Sequence, residues 1–217
     1  KDRPQWFTVS NRSRSYVNKI LSKISGEYYK NYKINIIKRI SPGIQVHYGE
    51  SNEFFNYDKV VIATHANEAL SIIENPLNEE KEILSNFKYK ENIAIVHTDE
   101  KVMPKNKNVW SSWNSHVKSD NTEINSLTYW LNLLQNLKSD ENIFLTLNPI
   151  SKISEKKILK KVKFTHPYFD QKALDNQKKL IFLQNKKDIL FCGSYFGYGF
   201  HEDGIKSSIE MIKALND

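Results

Sequence analysis

The stretch Ile189 to Gly204 constrains this chain more than any other. Ile189-Leu-Phe-Cys192 is an apolar run stopped by a glycine, with the length and punctuation of a short buried strand. Glycines then stand at 193, 197, 199 and 204, so the backbone can turn sharply and a ligand can approach it where a Cβ would intrude. Asp203 is placed to cap a helix beginning near Gly204, and Ile205, Ile209, Ile212 and Leu215 recur at helical spacing, which predicts one buried face. The N–H groups and positive dipole end of that helix suit phosphate, or the negative charge that develops on a reduced flavin pyrimidine. The same strand, turn and helix also serve elsewhere as a plain packing unit. Gly197-Tyr-Gly199-Phe-His-Glu202 is not a dinucleotide fingerprint, because Glu202 stands where the third glycine belongs.

The 217 residues, 39% hydrophobic and 12% aromatic, suffice for a real core in one large or two small domains. No apolar stretch approaches the roughly 20 residues that span a bilayer, so no transmembrane segment is expected. A single cysteine, Cys192, excludes an internal disulfide and fits a reducing cytoplasm. The net charge of +7 is spread over scattered lysines, which points away from a nucleic-acid interface. It leaves a weak attraction to anions and a peripheral place at a membrane. The densest run, Lys156 to Lys163, reads as a strand with a solvated basic face. None of the six histidines pairs with another His or Cys at zinc-ligand spacing, so no metal is expected. Neither a nucleophile elbow nor a Walker loop is present. His201-Glu202-Asp203 is read as capping and lining a ring edge rather than as an acid–base cluster, and no catalytic side chain is assigned.

An amphipathic helix is predicted over 12–25, with Val17, Ile20, Leu21 and Ile24 on its apolar side. Strands follow at 32–40, 45–48 and 57–64, the first two joined by a turn at Ser41-Pro-Gly43, and Asp58 to Thr64 reads as buried on both faces. Helices are expected at 67–73 and 78–87. Residues 91–98, 109–113, 126–130, 143–147 and 158–164 read as the strands of one antiparallel sheet, and 169–182 as a helix. The middle strands concentrate Trp110, Trp113, Tyr129 and Trp130, which suits either an apolar pocket or an aromatic core. The expected class is α/β: 1–66 and 188–217 belong to one α/β unit, interrupted by a mostly antiparallel domain over 67–187.

Several segments, taken in order, resemble the C-terminal half of the flavin-containing amine oxidoreductase superfamily, in its bacterial NAD/FAD-binding branch related to amine oxidases and phytoene-type desaturases. They are Trp6-Phe-Thr-Val, Tyr16-Val, Val60-Val-Ile-Ala-Thr-His65, Val109-Trp-Ser-Ser-Trp113, Tyr129-Trp-Leu-Asn132 with Gln135, Thr146-Leu-Asn-Pro149, His166-Pro167 and Gly199-Phe-His-Glu-Asp-Gly204. The resemblance implies an FAD-binding Rossmann-like domain interleaved with a substrate domain, and hydride transfer from a substrate C–H bond to flavin N5. It places the backbone around Ile37 at the adenine end and Ala63 and Thr64 near the cofactor. Gly193 and Ser194 fall near the pyrophosphate and ribityl chain, where Ser194 replaces the acidic residue frequent in relatives. Gly199, Phe200, His201, Glu202, Asp203, Gly204 and Ile205 fall under the flavin ring. Trp110, Trp113, Tyr129, Trp130, Asn132 and Asn148 are the candidates for the substrate wall, the substrate being a small amine or a lipid acyl chain. None of the seven glycines completes a Gly-x-Gly-x-x-Gly turn. The expectation is that an N-terminal dinucleotide-binding segment supplies it, and that these residues alone retain FAD weakly. The other reading is a non-catalytic basic module that holds a lipid or an acidic partner on the same fold.

Overall fold

Glycine and asparagine punctuation divides the chain into short elements. The computed structural model describes residues 5, 7–49, 53–117 and 126–216, and Trp6 of the first motif lies outside them. Helix α1 (Arg12–Leu21) is followed by strands β1 (Ile34–Arg39), β2 (Ile44–Tyr48), β3 (Glu53–Tyr57) and β4 (Val60–Ile62). Helices α2 (Ala66–Ile72) and α3 (Asn78–Leu84) lead to strands β5 (Lys88–His97), β6 (Trp113–His116) and β7 (Ser126–Trp130). Then come α4 (Leu131–Leu134), β8 (Phe144–Leu147), β9 (Ile158–Tyr168), α5 (Gln171–Gln177), β10 (Ile189–Phe191) and α6 (His201–Asn216). The chain forms two units, one of residues 30–91 with 165–217, the other of residues 92–164 with those up to 29.

The first unit holds two small sheets. Strands β1, β2 and β3 form an antiparallel meander in which Ile37 faces Val46 and Val46 faces Phe55. Strand β10 pairs in parallel with β4, Phe191 beside Ile62, a connection that requires a long crossover. Ile37, Ile62, Ala69, Leu84, Leu183 and Phe191 share one buried cluster between these sheets and the helices. Glu80 is fully buried there. It is held by Arg39 and accepts the Leu77 N–H at 2.7 Å, which closes the start of α3.

Two expectations for this unit are corrected. The strand read over 58–64 is regular only over Val60–Ile62, and Val61 is 41% exposed, because among the described residues the parallel sheet holds β4 and β10 alone and one face of β4 reaches solvent. In α6 the apolar stripe is not the buried one. Ile205, Ile209 and Ile212 are 57%, 51% and 50% exposed, while Ser207 and Met211 face inward and Met211 packs on Leu190 and Cys192. The small side of the helix lies against the strand end because Ser207 Oγ accepts the Gly193 N–H and donates to Gly204 O.

The second unit is built on a five-stranded sheet, ordered β6-β7-β8-β5-β9. Register places Trp113, Tyr129, Leu145 and Val96 in one row across four strands, with Leu127, Leu147 and Ala94 in the next row of the same face. The opposite face carries Asn114, Thr128, Thr146 and Ile95, then Ser126, Phe144 and His97. That second, polar face is the buried one. The strand expected at 109–113 is instead a 3-10 turn over Lys107–Val109 and a loop. Asn106 caps the turn, the Trp110 indole donates to Pro104 O, and Ser111 N donates to the Asn114 side chain, so the loop folds on itself. Helix α1 ends at Leu21 rather than reaching 25, so Ile24 lies beyond it, and none of its residues is buried: Val17 and Ile20 of the apolar side are exposed.

Candidate functional site

In the first unit the carboxyl ends of β4 and β10 converge on the glycine-rich turn, the place where open parallel sheets accept ligands. A Cβ on Gly193 would lie 2.7 Å from the Tyr195 ring, while its φ of +157° sets the chain over Thr64 O, 3.6 Å from the same point. Ala63 and Thr64 are exposed beside it. Ser194 opens a short 3-10 turn and its carbonyl accepts from Gly197 N and Gly199 N, both at 3.1 Å. Helix α6 then begins at His201, not near Gly204. Asp203 is therefore the third residue of the helix rather than its cap, and its carboxylate reaches back to accept from Tyr198 N and Phe200 N at 3.0 Å each.

Gly204 has a different role from the other turn glycines. A Cβ built there meets nothing nearer than Ser194 N at 3.9 Å, so the chain's own packing does not require glycine. Glycine inside a helix costs about 1 kcal/mol against alanine, and the space beside this one is free for a bound group. Two carboxylates stand at the same helix start. Asp203 is engaged by backbone, and Glu202 is exposed with Lys206 3.8 Å away. Both carboxylates oppose a phosphate at this turn. His201, Phe200 and Ile205 are exposed around that turn, whereas Ile37 is buried in the core with its carbonyl accepting the Glu74 N–H.

Tyr195, behind the turn, is buried against Phe87 and Phe196. Its hydroxyl has no hydrogen-bond partner among the described residues, and burial pushes its pKa up. Nearby, Tyr89 stacks on His65 at 4.3 Å and accepts the Ala66 N–H at 2.8 Å; burial raises its pKa to about 12.

In the second unit the candidate wall residues separate. Trp113, which is 55% exposed, and Tyr129 lie together on the open sheet face, ring centroids 6.4 Å apart. Trp110 and Trp130 meet edge-on at 5.3 Å and pack into the buried cluster beside Phe144. The Trp130 indole donates to Asn142. Asn132 fastens a loop by bonding Glu141 O and Ile143 N, and Asn148, at φ +47°, accepts from Ile93 N and donates to Asn92.

Sequence reasoning missed the polar network inside the sheet. His97 Nδ1 accepts the Asp99 N–H at 3.1 Å, so its Nε2 carries the proton and donates to Thr146 Oγ1 at 2.8 Å; Thr146 in turn meets Thr128 Oγ1 at 2.9 Å. Burial pushes the His97 pKa down, against the pull of Asp99. Asp99 itself accepts from Lys101 N, Ser154 N and Lys157, which together hold its carboxyl below the ordinary range despite burial. The available signal was the alternation of Ser126 and Thr128 with Leu127 and Tyr129, which shows two faces but not which one is buried. Among the described residues no group of three His, Cys, Asp or Glu side chains is placed to hold a metal, and no helix is long and apolar enough to cross a membrane.

No family model matches the sequence, and no curated protein matches it. Solved structures do. The CLA-producing fatty acid isomerase from P. acnes superposes with a TM-score of 0.63 at 11% identity, over 94% of this chain and 51% of that one. Wild-type putrescine oxidase bound to putrescine gives a TM-score of 0.60 at 10% identity, over 95% and 52%. The fold is the one that these structures share. The chain spans about half the length of these structures.

Proposed function

We propose that this chain is the cofactor-completing and substrate-domain part of an FAD-dependent oxidoreductase. The observation that carries the reading is the convergence of Thr64, Gly193 and Ser194 with the first turn of α6 at Gly204, where the chain leaves room for a group that it does not itself supply. Bound there, FAD supplies acceptance of hydride from a substrate C–H bond. Ala63, Thr64, Gly193 and Ser194 line one side of the cofactor. The segment Gly199 to Ile205 lies against the ring edge, and the N–H groups of the first turn of α6 face it. The pyrophosphate cradle is contributed by a dinucleotide-binding segment outside these residues, in keeping with the half-length match to the solved structures. Trp113 and Tyr129 line the substrate wall, and the substrate is a small amine or an acyl chain held against that apolar face. The reducing cytoplasm is the compartment that its one buried thiol fits.

The test is an absorbance spectrum of the protein that includes its phosphate-binding segment, refolded with FAD, alongside Gly204→Val. The wild type is expected to retain flavin with a band near about 450 nm, and Gly204→Val to lose it while keeping its circular dichroism and melting profile. Absence of the band in the wild type, or undiminished flavin in the variant, overturns the reading.

A further inference from the structure

Two joined depressions lie at the β6 edge of the five-stranded sheet, both within the second unit. The larger, about 1240 Å³, is lined by Phe7, Trp110, Trp113, Leu133 and Leu134 with an uncharged polar rim. Leu133 is 53% exposed there. The smaller, about 550 Å³, is lined by Lys101, Lys105, Asn114, Ser115 and His116, and it shares Ser111 and Trp113 with the larger. The two differ sharply in charge. The larger has no charged side chain, and the smaller has two lysines and no carboxylate.

The neighbouring cations are already matched: Lys107 pairs with Glu100 at 2.9 Å and Lys157 with Asp99 at 3.4 Å. Lys101 and Lys105 form no ion pair among the described residues. His116 adds a buried Nε2 without a hydrogen-bond partner among the described residues. A buried donor left unsatisfied is costly, and burial lowers the His116 pKa, so the neutral ring can present Nε2–H to an anion.

We infer that this edge binds a single-chain amphiphilic anion of the fatty-acid class. Its carboxylate is held by Lys101, Lys105 and His116 Nε2, and its acyl chain lies past Trp113 along Trp110, Leu133 and Leu134. A membrane surface is the other partner this chemistry could meet, and the vesicle arm of the test below separates the two. The inference narrows the substrate class of the wall proposed above and rests on that reading for Trp113, but its test is separate from the flavin test. If fatty-acid binding fails while flavin is retained, only the ligand assignment falls, and the converse leaves it standing.

The full chain is titrated with the fluorescent fatty acid cis-parinarate, which is then displaced by oleate, oleyl alcohol or butyrate, and separately mixed with phosphatidylglycerol vesicles. Oleate is expected to displace the probe at concentrations about tenfold below those of oleyl alcohol, a charge-assisted contact being of that order. Butyrate should fail to displace it. Lys101→Gln with Lys105→Gln should erase the oleate preference, and Trp113→Ala should weaken both long-chain ligands. The pair Lys156→Gln with Lys160→Gln, which removes the same charge elsewhere, should leave affinities within about twofold. Equal displacement by oleate and oleyl alcohol, an equal loss in the control pair, or binding to vesicles alone would overturn the assignment.

Discussion

The parallel pair β4 and β10 and the antiparallel sheet β6-β7-β8-β5-β9 place their polar groups in opposite ways. Around β10 the inward side chains are Ile189, Leu190 and Phe191, and polar atoms gather at the strand ends, where Ser207, Asp203 and Gln177 tie down the turn. In the antiparallel sheet the buried face holds His97, Thr128, Thr146, Ser126 and Asn114, while Trp113, Tyr129, Leu127 and Leu145 occupy the more open face. Burying hydroxyls and an imidazole is tolerable only when each is hydrogen-bonded. Ile95 and Phe144 carry the apolar packing of the buried face, and Leu127, Leu145 and Leu147 on the other face are only half-buried. The first region gathers backbone groups at its strand ends; the second presents an apolar face and a groove.

The largest effect should come from breaking the buried network. Thr146→Val keeps the shape but strands His97 Nε2–H and the Thr128 hydroxyl, and is expected to cost about 2 kcal/mol. Leu127→Thr on the open face should cost under about 1 kcal/mol. Urea unfolding of both variants checks the contrast, and equal losses would remove the distinction between the faces.

Acid sharpens the same contrast. His97 has a folded pKa below its ordinary 6.5, so below that value the unfolded state binds more protons than the folded one. Stability is therefore full above pH 6.5 and declines as pH falls toward the folded value. Melting curves taken from about pH 7.5 to about pH 5 should show that decline, and His97→Gln should reduce it, leaving the part that His116, also lowered by burial, contributes. The loss of the Asp99 contribution follows only at lower pH, because its carboxyl is held below its ordinary 3.8.

On the side of the parallel pair the expected effects are smaller. Tyr195→Phe removes a buried hydroxyl with no partner among the described residues and should leave stability unchanged or raise it by up to about 1 kcal/mol. A loss of that size would mean the hydroxyl is engaged. Ile209→Gln, on the exposed stripe of α6, should change the stability of this chain by no more than about 0.5 kcal/mol. A larger loss in thermal melting would return that stripe to the core.

Much of the fold was legible because its signals are local. Ser126 to Trp130 alternates and forms β7 over that same span, and Ile189 to Cys192 with its following glycine gives β10. Strand β3 was not legible: Phe54 and Phe55 are adjacent, both are exposed, and no alternation marks the edge. The α6 stripe misled because a helix can carry two coherent sides, and the small residues Gly204, Ser207 and Ser208 let the other one approach the strand end through hydrogen bonds. At the candidate site, the neighbourhood of Gly193 with Thr64 follows from two motifs at the ends of paired strands. The separation of Trp113 and Tyr129 from Trp110 and Trp130 depends on a loop closed by Asn106 and Asn114 side chains, which periodicity does not register.

The central claim, that the strand ends and the α6 start receive FAD, is tested most directly by hydrogen–deuterium exchange on the protein with its phosphate-binding segment, flavin-loaded against flavin-stripped. Slowed exchange confined to residues around 63–64 and 193–205, with 126–147 unchanged, is the predicted result. Unchanged exchange across 193–205 on loading would contradict it.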